Sequence, residues 1–388
     1  MAELLEGVVV LEIAQVITGP LVGQQLAELG ADVIKVEPPD GGDPFRRWEG
    51  GVVGVPASFA AYNRGKRSVT LDVKTARGRE LYTRLAGRAD VVVENFRPGV
   101  MDAAGIGPEA LRARYPRLVY CSITGMGTTG PRASQPTYDA VAQAASGLWS
   151  QFTDLSAPEP LGPPLADQLT ALYAAIGVLA ALDRRHRTGA GSTVEVSMLG
   201  ACMAFQTLAI TGVLAGELVP DRATRARRSL TFAVQGADGL PFCVHLSSPQ
   251  KFWRSLCDAI GEPALATDPR FAAKRDRTAA YDELRTVLQR HFSSRPRAEW
   301  LARLAAHEVP SAPLLDLGEV VEDEQANAIG MLPESGGRRF LAGAVSCEGR
   351  RSGTAVPPPE LGSDTDAVLA ELGLGGAELA RLRADGVV

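Results

Sequence analysis

Short apolar runs alternate with helical stretches at the start of the chain, and this alternation constrains the fold more than any other feature. GVVVLEI predicts a strand over Val8–Ile13, and ADVIKVE predicts a second strand over Asp32–Val36. A Gly-Pro turn and a helix over Leu21–Leu29 lie between them. Strand, helix and strand at this spacing indicate a βαβ unit, whose two strands are parallel.

The same alternation continues as far as the Cys121 region. Further strands are predicted over Ser68–Val73, in DVVVENF and over Leu118–Thr124, and TARGRELYTRLAGRA between them predicts an amphipathic helix. Strands that alternate with helices are typical of an α/β domain with a largely parallel sheet. After a polar, basic stretch near residue 217, a hairpin-like segment and several helices predict a smaller α+β region from Leu230 to about Leu317.

Composition narrows the class of protein. The chain has 388 residues, of which 45% are hydrophobic and 22% charged, with a formal net charge of −5. This balance favours a soluble protein and argues against nucleic acid or an anionic membrane as a partner. The acidic N-terminus lacks the basic region of a signal peptide. The uncharged run Leu199–Gly216 contains polar interruptions, so we interpret it as a core helix rather than a membrane span.

The five cysteines and four histidines are scattered. No C-x-x-C or HExxH spacing appears, so we expect neither a disulfide framework nor a metal site. Free cysteines fit a reducing, cytoplasmic setting. GMGTTG, at Gly125–Gly130, has the spacing of a dinucleotide loop, but no helix opens inside it, and we interpret it as a flexible loop.

Asp167 is the single carboxylate of the segment LADQLTALYAAIGVLAAL and lies near its start. The rest of the segment is largely apolar, and the next charge is Asp183, directly after it. A helix that is apolar all round is buried. A charge at its start is costly to bury unless it forms an interaction or serves a function. Asp is a favoured N-cap residue, and capping is one interpretation of Asp167. The other is a nucleophile or base at the edge of a pocket. The local sequence leaves both open.

Several segments, taken in order, resemble the class III coenzyme A transferases, which include formyl-CoA transferase and carnitine CoA-transferase and are related to α-methylacyl-CoA racemase. The segments are GVVVLEIAQVITGP, LAELGADVIKVEPPDGGDPFR, NRGKRSVTLDVK, DVVVENFRPGVMDAAGI, PTYDAVAQAASGL, LADQLTALYAAIGVLAAL, RRHRTGAGSTVEVSM and LGSDTDAVLAELG. The resemblance implies a large α/β domain over residues 1–215 that binds CoA, a small α+β domain over 225–325, and a C-terminal segment over 330–388 that returns to the large domain. It also implies an interlocked homodimer.

For activity, the resemblance implies transfer of CoA between carboxylic acids. Asp167 matches the catalytic carboxylate of the family, which forms an anhydride with the acyl group and then a thioester with CoA. Acyl-CoA and a small carboxylic acid would be the substrates, with no tightly bound cofactor. The helix N-terminus would hold Asp167 ionised. Covalent catalysis of this kind divides one difficult exchange into easier steps.

The resemblance also assigns CoA-binding residues by motif. These residues are Gln15, Val16, Ile17, Leu71, Lys74, Asn95, Phe96, Arg97, Tyr138 and Asp139. Two positions depart from the family, because Pro38 and Ala103 stand where such members often carry a phosphate-binding arginine. Lys35, Lys66, Arg67 or Arg97 are possible replacements. The glycine-rich flap of formyl-CoA transferase falls on VHLSSPQKFW, where Ser247-Ser248 would allow a tight turn.

Two further interpretations concern an alternative reaction and the binding of a second substrate carboxylate. Racemisation of an α-methylacyl-CoA is the alternative reaction, but the related racemases place a histidine where this chain has Tyr138. A tyrosine of ordinary pKa, near 10, is a poor base at neutral pH, which favours transfer. Arg46 and Arg47 are candidates for binding a second carboxylate of the substrate, although most arginines simply lie on the surface.

Overall fold

In the computed structural model of the protein, a sheet of six parallel strands organises the first half of the chain, within the residues that the structure describes. The strands are β1 (Val9–Ile13), β2 (Asp32–Glu37), β3 (Arg67–Thr70), β4 (Val91–Glu94), β5 (Val119–Thr124) and β6 (Thr193–Ser197). Their order is β3-β2-β1-β4-β5-β6. The central strands are rich in valine and buried on both faces, as a parallel sheet requires. The predicted α/β fold with a parallel sheet is therefore confirmed.

Helices flank the strands of this sheet on both faces and continue along the chain after β6. They are α1 (Thr18–Glu28), α2 (Ala57–Asn63), α3 (Ala76–Ala86), α4 (Val100–Ala103), α5 (Pro108–Arg114), α6 (Asp139–Ala145), α7 (Leu165–Thr188), α8 (Met198–Phe205) and α9 (Thr207–Leu214). One core contains Leu11, Leu81 and Tyr82, and the other contains Val10, Leu26 and Val178. The alternate residues Val10 and Leu11 of β1 thus face opposite sides of the sheet, as successive strand residues must.

Helix α7 buries small residues and exposes large ones. Its buried face carries Ala171, Ala174, Ala175, Val178 and Ala181. The exposed fractions of its large apolar residues are 49% for Leu172, 37% for Tyr173, 61% for Ile176 and 36% for Leu179. The expectation that this helix is buried all round is therefore wrong for one face. By length and composition α7 would also suit a membrane span, a test that the core helix of a soluble protein passes equally.

The helix predicted within the uncharged run Leu199–Gly216 is divided in two. Helix α8 ends at Phe205 and α9 begins at Thr207. At the break, Gln206 donates from Nε2 to the carbonyl oxygens of Cys202, at 3.0 Å, and Ser146, at 3.1 Å. A side chain bonded to the backbone competes with the helical ladder, which accounts for the interruption.

The described chain, residues 4–48, 55–247, 250–335, 337–353 and 356–388, forms two compact units. The first contains residues up to 152, 158–211 and the segment from 330 onward, and the second contains 153–157 and 212–329. The second unit has the elements α10 (Thr224–Ser229), β7 (Thr231–Gln235), β8 (Pro241–His245), α11 (Gln250–Ile260), α12 (Lys274–Ala279), α13 (Tyr281–Phe292), α14 (Arg297–Ala306), β9 (Ser311–Pro313), α15 (Leu317–Glu322) and α16 (Glu324–Ala328). The predicted domain limits remain predictions.

The C-terminal segment packs on the first unit. It contains β10 (Glu334–Ser335), β11 (Arg338–Arg339), β12 (Ser346–Cys347), β13 (Arg350–Arg351), α17 (Thr365–Glu371) and α18 (Gly376–Ala384). The Asp364 carboxylate accepts from Ser68 N–H at 2.9 Å, and the Val387 carbonyl accepts from Asp72 N–H at 2.8 Å. Val368, Leu369 and Leu382 complete the core on that side of the sheet.

Candidate active site

Asp167 is the third residue of α7, and it does not cap the helix. The residue at the N-cap position is Pro164, whose side chain has no acceptor. Instead, Asp139 Oδ1 accepts from the backbone N–H of Ala166 at 2.8 Å and of Asp167 at 3.2 Å. The interpretation of Asp167 as the cap is therefore wrong, because Asp139 supplies that acceptor from the start of α6.

A second side chain fixes Asp139 in this position. Gln143 Nε2 donates to Asp139 Oδ2 and, at 3.2 Å, to the carbonyl oxygen of Pro163 just before α7. Because α6 and the start of α7 are joined through Asp139 and Gln143, the beginning of α7 is held independently of the Asp167 side chain. The Asp167 carboxylate itself accepts no hydrogen bond from the residues that the structure describes.

The surroundings of Asp167 raise its pKa to about 7, through burial first and then the charge of Asp139. A pKa near 7 runs against the expectation that the helix N-terminus holds Asp167 ionised, because a large part of the group is then protonated at neutral pH. Nearby, burial and the Asp167 charge raise the pKa of Tyr62. The apolar floor below the start of α7 consists of Ala142, Leu148, Ala166, Met198 and Cys202.

The loop after β1 carries a strained residue. Val16 has φ of 67°, in the left-handed region that a β-branched residue rarely adopts. Its N–H points to both carboxylate oxygens of Asp43, at 3.2 and 3.3 Å. Strain of this kind persists only where the surroundings enforce it, and it is concentrated at functional sites.

Asn95 holds the same loop from the end of β4. Its Oδ1 accepts from Gln15 N–H at 3.0 Å, and its Nδ2 donates to the Gln15 carbonyl at 2.8 Å and to Thr18 Oγ1 at 2.9 Å. The predicted residues Gln15–Ile17 and Asn95 are therefore brought together. The carboxamide of Asn95 is fully used within the protein, which makes it a positioning residue for this loop.

A buried charge network lies beneath the loop. Lys35 Nζ is 2.9 Å from both Glu12 Oε1 and Asp43 Oδ2, and Lys66 Nζ is 2.7 Å from Glu12 Oε2. All four side chains are completely buried. Burial lowers the pKa of Lys66 to about 8, whereas Glu12 and Asp43 overcome burial and raise the pKa of Lys35. This network fixes the carboxylate that Val16 requires.

The strand order explains why these loops meet. Strands β2 and β3 lie on one side of β1, whereas β4 and the later strands lie on the other. The loops leaving β1 and β4 therefore diverge, and the crevice at this switch point is where open α/β sheets bind ligands. Helix α7 connects parallel strands β5 and β6, so it runs against them, and Asp167 lies at the same carboxyl edge.

The remaining predicted CoA contacts differ in accessibility. Lys74 and Arg97 are exposed, and Phe96 packs partly against the core. Leu71 is only 1% exposed, so its side chain belongs to the core, and its predicted contact with CoA stays a prediction. Tyr138 is 76% exposed at the start of α6. Of the described residues, no group of three His, Cys, Asp or Glu has metal-binding geometry.

Three of the four replacements considered for the missing arginines have other partners. Lys35 and Lys66 belong to the buried network, and Arg67 pairs with Asp32 and Glu371. Only Arg97 remains. Arg46 is also committed, because it forms a bidentate pair with Glu37 at 2.7 Å through each nitrogen, so a second substrate carboxylate is not its partner.

Sequence analysis missed three carboxylates that shape the site. Asp43 and Glu12 were hidden because their partners come from strands and loops distant in sequence. Glu94 ends β4 and accepts from Phe96 N–H at 2.8 Å and from Ser122 Oγ, and burial raises its pKa to about 7. A carboxylate at the end of the buried run VVVE was the available signal for Glu94.

The segment matched to the glycine-rich flap is only partly described. Ser247 Oγ lies 2.7 Å from Nε2 of His245, whose Nδ1 lies 2.9 Å from Thr231 Oγ1. Ser248 falls outside the described residues. The predicted tight turn therefore stays a prediction.

Comparisons with known proteins identify relatives over most of the chain. Residues 5–365 match the model of CoA-transferase family III. An acetyl-CoA:oxalate CoA-transferase of Acetobacter aceti is 37% identical, covering 89% of this chain and 89% of that protein. A succinate–glutarate CoA-transferase of Agrobacterium fabrum is 35% identical, covering 84% of each. The crystal structure of a CaiB/BaiF family protein from Brucella suis has a TM-score of 0.84 and 35% identity, covering 96% of this chain and 100% of that one. This chain is therefore an enzyme that belongs to CoA-transferase family III.

Proposed function

We propose that this enzyme moves CoA between two carboxylic acids and that Asp167 is its nucleophile. The observation that carries the proposal is that a residue other than Asp167 caps α7. Asp139 caps the helix, so the Asp167 carboxylate is left without a structural partner among the described residues. It stands over an apolar floor, at the same sheet edge as the strained Val16 loop. A partly buried carboxylate with a perturbed pKa in a crevice is a candidate for catalysis.

The reaction would proceed through two covalent forms of Asp167. Its carboxylate oxygen attacks the thioester carbon, the C–S bond breaks, and CoA thiolate leaves an anhydride behind. The thiolate then attacks the aspartyl carbonyl carbon, which releases the first acid and forms an aspartyl-CoA thioester. The acceptor carboxylate attacks the aspartyl carbonyl carbon of that thioester, which breaks the C–S bond, releases CoA thiolate and forms a second anhydride. The thiolate then attacks the acceptor carbonyl carbon of this anhydride, which gives the new acyl-CoA and frees the Asp167 carboxylate. One negative charge passes through every step, so no proton is needed.

CoA would act as a substrate and not as a tightly bound cofactor, in a cytoplasmic setting. The loops at Gln15–Ile17 and Asn95–Arg97 lie at the switch point, and Lys74 and Arg97 are exposed cations for phosphate groups. The names of the relatives point to small dicarboxylates, since they act on oxalate or on succinate and glutarate. We therefore place a small dicarboxylic acid first among acceptors.

A transfer screen tests the function. Several acyl-CoA donors are incubated with a panel of mono- and dicarboxylic acids, and mass spectrometry follows the new CoA esters. Hydroxylamine should convert Asp167 to a hydroxamate only when donor is present. The same incubations in deuterated water test racemisation, for which we expect no deuterium at the α-carbon. Exchange without transfer would favour the racemase alternative, and trapping at another residue would exclude the mechanism.

The pH dependence follows from the raised pKa of Asp167. Because the carboxylate is the attacking form, kcat/KM should rise with pH and reach half its maximum near pH 7. Asp139→Asn keeps an amide oxygen for the cap but removes one cause of the shift. Its profile should therefore move toward lower pH, although burial, the larger cause, remains. If wild type and Asp139→Asn have identical pH profiles, the group that titrates near pH 7 is not Asp167.

We further propose that a second copy of the chain covers the exposed apolar face of α7. Leu172, Tyr173, Ile176 and Leu179 form one stripe on this helix, and an apolar stripe of this kind on a soluble protein commonly marks an interface. Ile176→Glu should convert dimers to monomers in light scattering, because it buries a charge in the interface. His186→Glu, at the far end of α7, is the control. A wild-type monomer at high concentration would refute the proposal.

A further inference from the structure

An arginine-lined cleft lies beside the proposed CoA crevice and has no role in the chemistry described above. Its volume is about 280 Å³. The lining residues are Ala76, Arg79, Glu80, Thr83, Arg84, Ala104, Gly105, Ile106 and Arg114. We call it the arginine cleft. It is bounded by α3, the turn after α4 and the end of α5, all within the first unit.

Positive charge dominates the arginine cleft. It contains three guanidinium groups and one carboxylate, Glu80, which Arg77 neutralises at 2.6 Å. Arg84 donates from Nη2 to the Leu372 carbonyl at 2.6 Å, and Arg114 is exposed beside the Tyr115 ring. In the described residues none of the three arginines forms an ion pair. A cleft with this excess of unpaired cations favours an anionic ligand.

Two nitrogens of the Arg79 guanidinium are available to donate hydrogen bonds to a ligand. Its Nη1 donates to the carbonyl oxygens of Lys74, at 2.6 Å, and Val73, at 3.3 Å. Its Nε and Nη2 make no hydrogen bond with the described part of the chain. These two nitrogens form the edge of guanidinium that binds a phosphate or carboxylate through two parallel hydrogen bonds.

The position of the cleft links it to the CoA crevice. Lys74 lies in the loop between β3 and α3, at the carboxyl edge of the sheet, and Arg79 holds the carbonyl of that same residue. The opposite wall is formed by Ala104 and Gly105, directly after Ala103. Small residues on this wall leave room for a bulky anion close to the backbone.

We propose that the arginine cleft binds the 3′-phosphate on the ribose of CoA, with Arg79 as its main contact. This inference depends on the proposed function, because it assumes CoA as the substrate. Of the phosphates in CoA, this monoester carries the most charge per group, and it stands on the ribose at the opposite end from the reactive thiol. The cleft would thus supply the phosphate contact for which Pro38 and Ala103 offer no charge.

The test compares CoA with 3′-dephospho-CoA by calorimetry, using the full-length enzyme. Wild type should bind CoA at least about tenfold more tightly, since a charge-assisted hydrogen bond is strong enough for such a difference. Arg79→Ala should remove this preference and leave the affinity for 3′-dephospho-CoA unchanged. Arg79→Lys should recover part of it. Arg187→Ala, which removes an exposed arginine paired with Asp183 on α7, is the control.

Other outcomes distinguish failure of the phosphate site from failure of the proposed function. If Arg79→Ala weakens both ligands equally, Arg79 only supports the Lys74 loop and the inference is wrong. Arg114→Ala, which leaves that loop intact, must also reduce the preference. If inorganic phosphate binds but wild type does not distinguish the two CoA forms, the cleft is a general anion site and the inference is again wrong. If neither CoA form binds, the proposed function itself fails.

Discussion

Asp167→Asn should abolish CoA transfer while the enzyme stays folded and continues to bind CoA. The carboxamide cannot form the anhydride, so we expect turnover to fall by at least about 10³-fold, in the range seen when a covalent nucleophile is removed. The Asp139 cap does not depend on residue 167, so the start of α7 should be unchanged. Mass spectrometry of donor and acceptor esters measures turnover, and calorimetry measures CoA binding.

The same variant should be more stable than wild type at high pH. The pKa of Asp167 is about 7 in the folded protein against an ordinary value of 3.8. The folded state therefore binds the proton of Asp167 more tightly than the unfolded state does. As a result, the free energy of unfolding of wild type falls as pH rises from about 4 to 7. Asparagine avoids the charged form, so the gain in unfolding free energy should grow from near zero at pH 4 to about 2–4 kcal/mol at pH 8.

Asp183→Asn is the matched control for both measurements, because Asp183 is exposed on the same helix and, among the described residues, pairs only with Arg187 at the surface. It should change neither turnover nor stability by a measurable amount. If Asp167→Asn retains near-normal turnover, the nucleophile is another residue. If it loses turnover only by unfolding, its role is structural.

Glu12→Gln should cause the largest loss of stability of any single polar substitution considered for this protein. Glu12 is the carboxylate that faces both buried ammonium groups, Lys35 at 2.9 Å and Lys66 at 2.7 Å. Glutamine leaves Lys66 without a charged partner and turns an amide N–H₂ toward a cation. Breaking a buried pair from one side costs about 3–5 kcal/mol. Urea unfolding followed by circular dichroism should show this loss.

An exposed ion pair provides the comparison. Glu371→Gln removes one carboxylate from Arg67, whose side chain and partner are 27% and 43% exposed. Its cost should stay below about 1 kcal/mol, as is usual for surface pairs. CoA binding should also weaken in Glu12→Gln alone, because Lys35 and Asp43 hold the strained Val16 loop. Equal losses in the two variants would mean that the buried network contributes little.

The sequence predicted best those features that depend on local pattern. The runs around Val10, Val33 and Val92 are apolar because both faces of a parallel strand are buried, so the strands and their direction followed directly. Asp167 drew attention because a single charge precedes a long uncharged helix, although only the family resemblance favoured a nucleophile over a cap. Both signals lie within a few residues of the position that they describe.

Features set by distant contacts could not be predicted in the same way. Asp139 caps α7 across a separation that no local pattern reveals, so Asp167 was given a capping role that belongs to another residue. Lys35 and Lys66 looked like free cations for phosphate, but their partners are Glu12 and Asp43, which only the folded sheet brings together. The exposed face of α7 was also hidden, because apolar composition does not distinguish a buried helix face from an exposed one.

The way the C-terminal segment completes the first unit has a consequence for synthesis on the ribosome. The edge loop at Asp72 bonds to Val387, and Val368 and Leu382 fill the core beside β3. At about 5–20 residues per second, some 10–35 seconds separate the synthesis of residue 211 from that of residue 387. Residues 212–329 of the second unit are synthesised within that time, while the first unit still exposes apolar sheet surface. Protection of that surface during translation, rather than final stability alone, should therefore limit the yield of active enzyme.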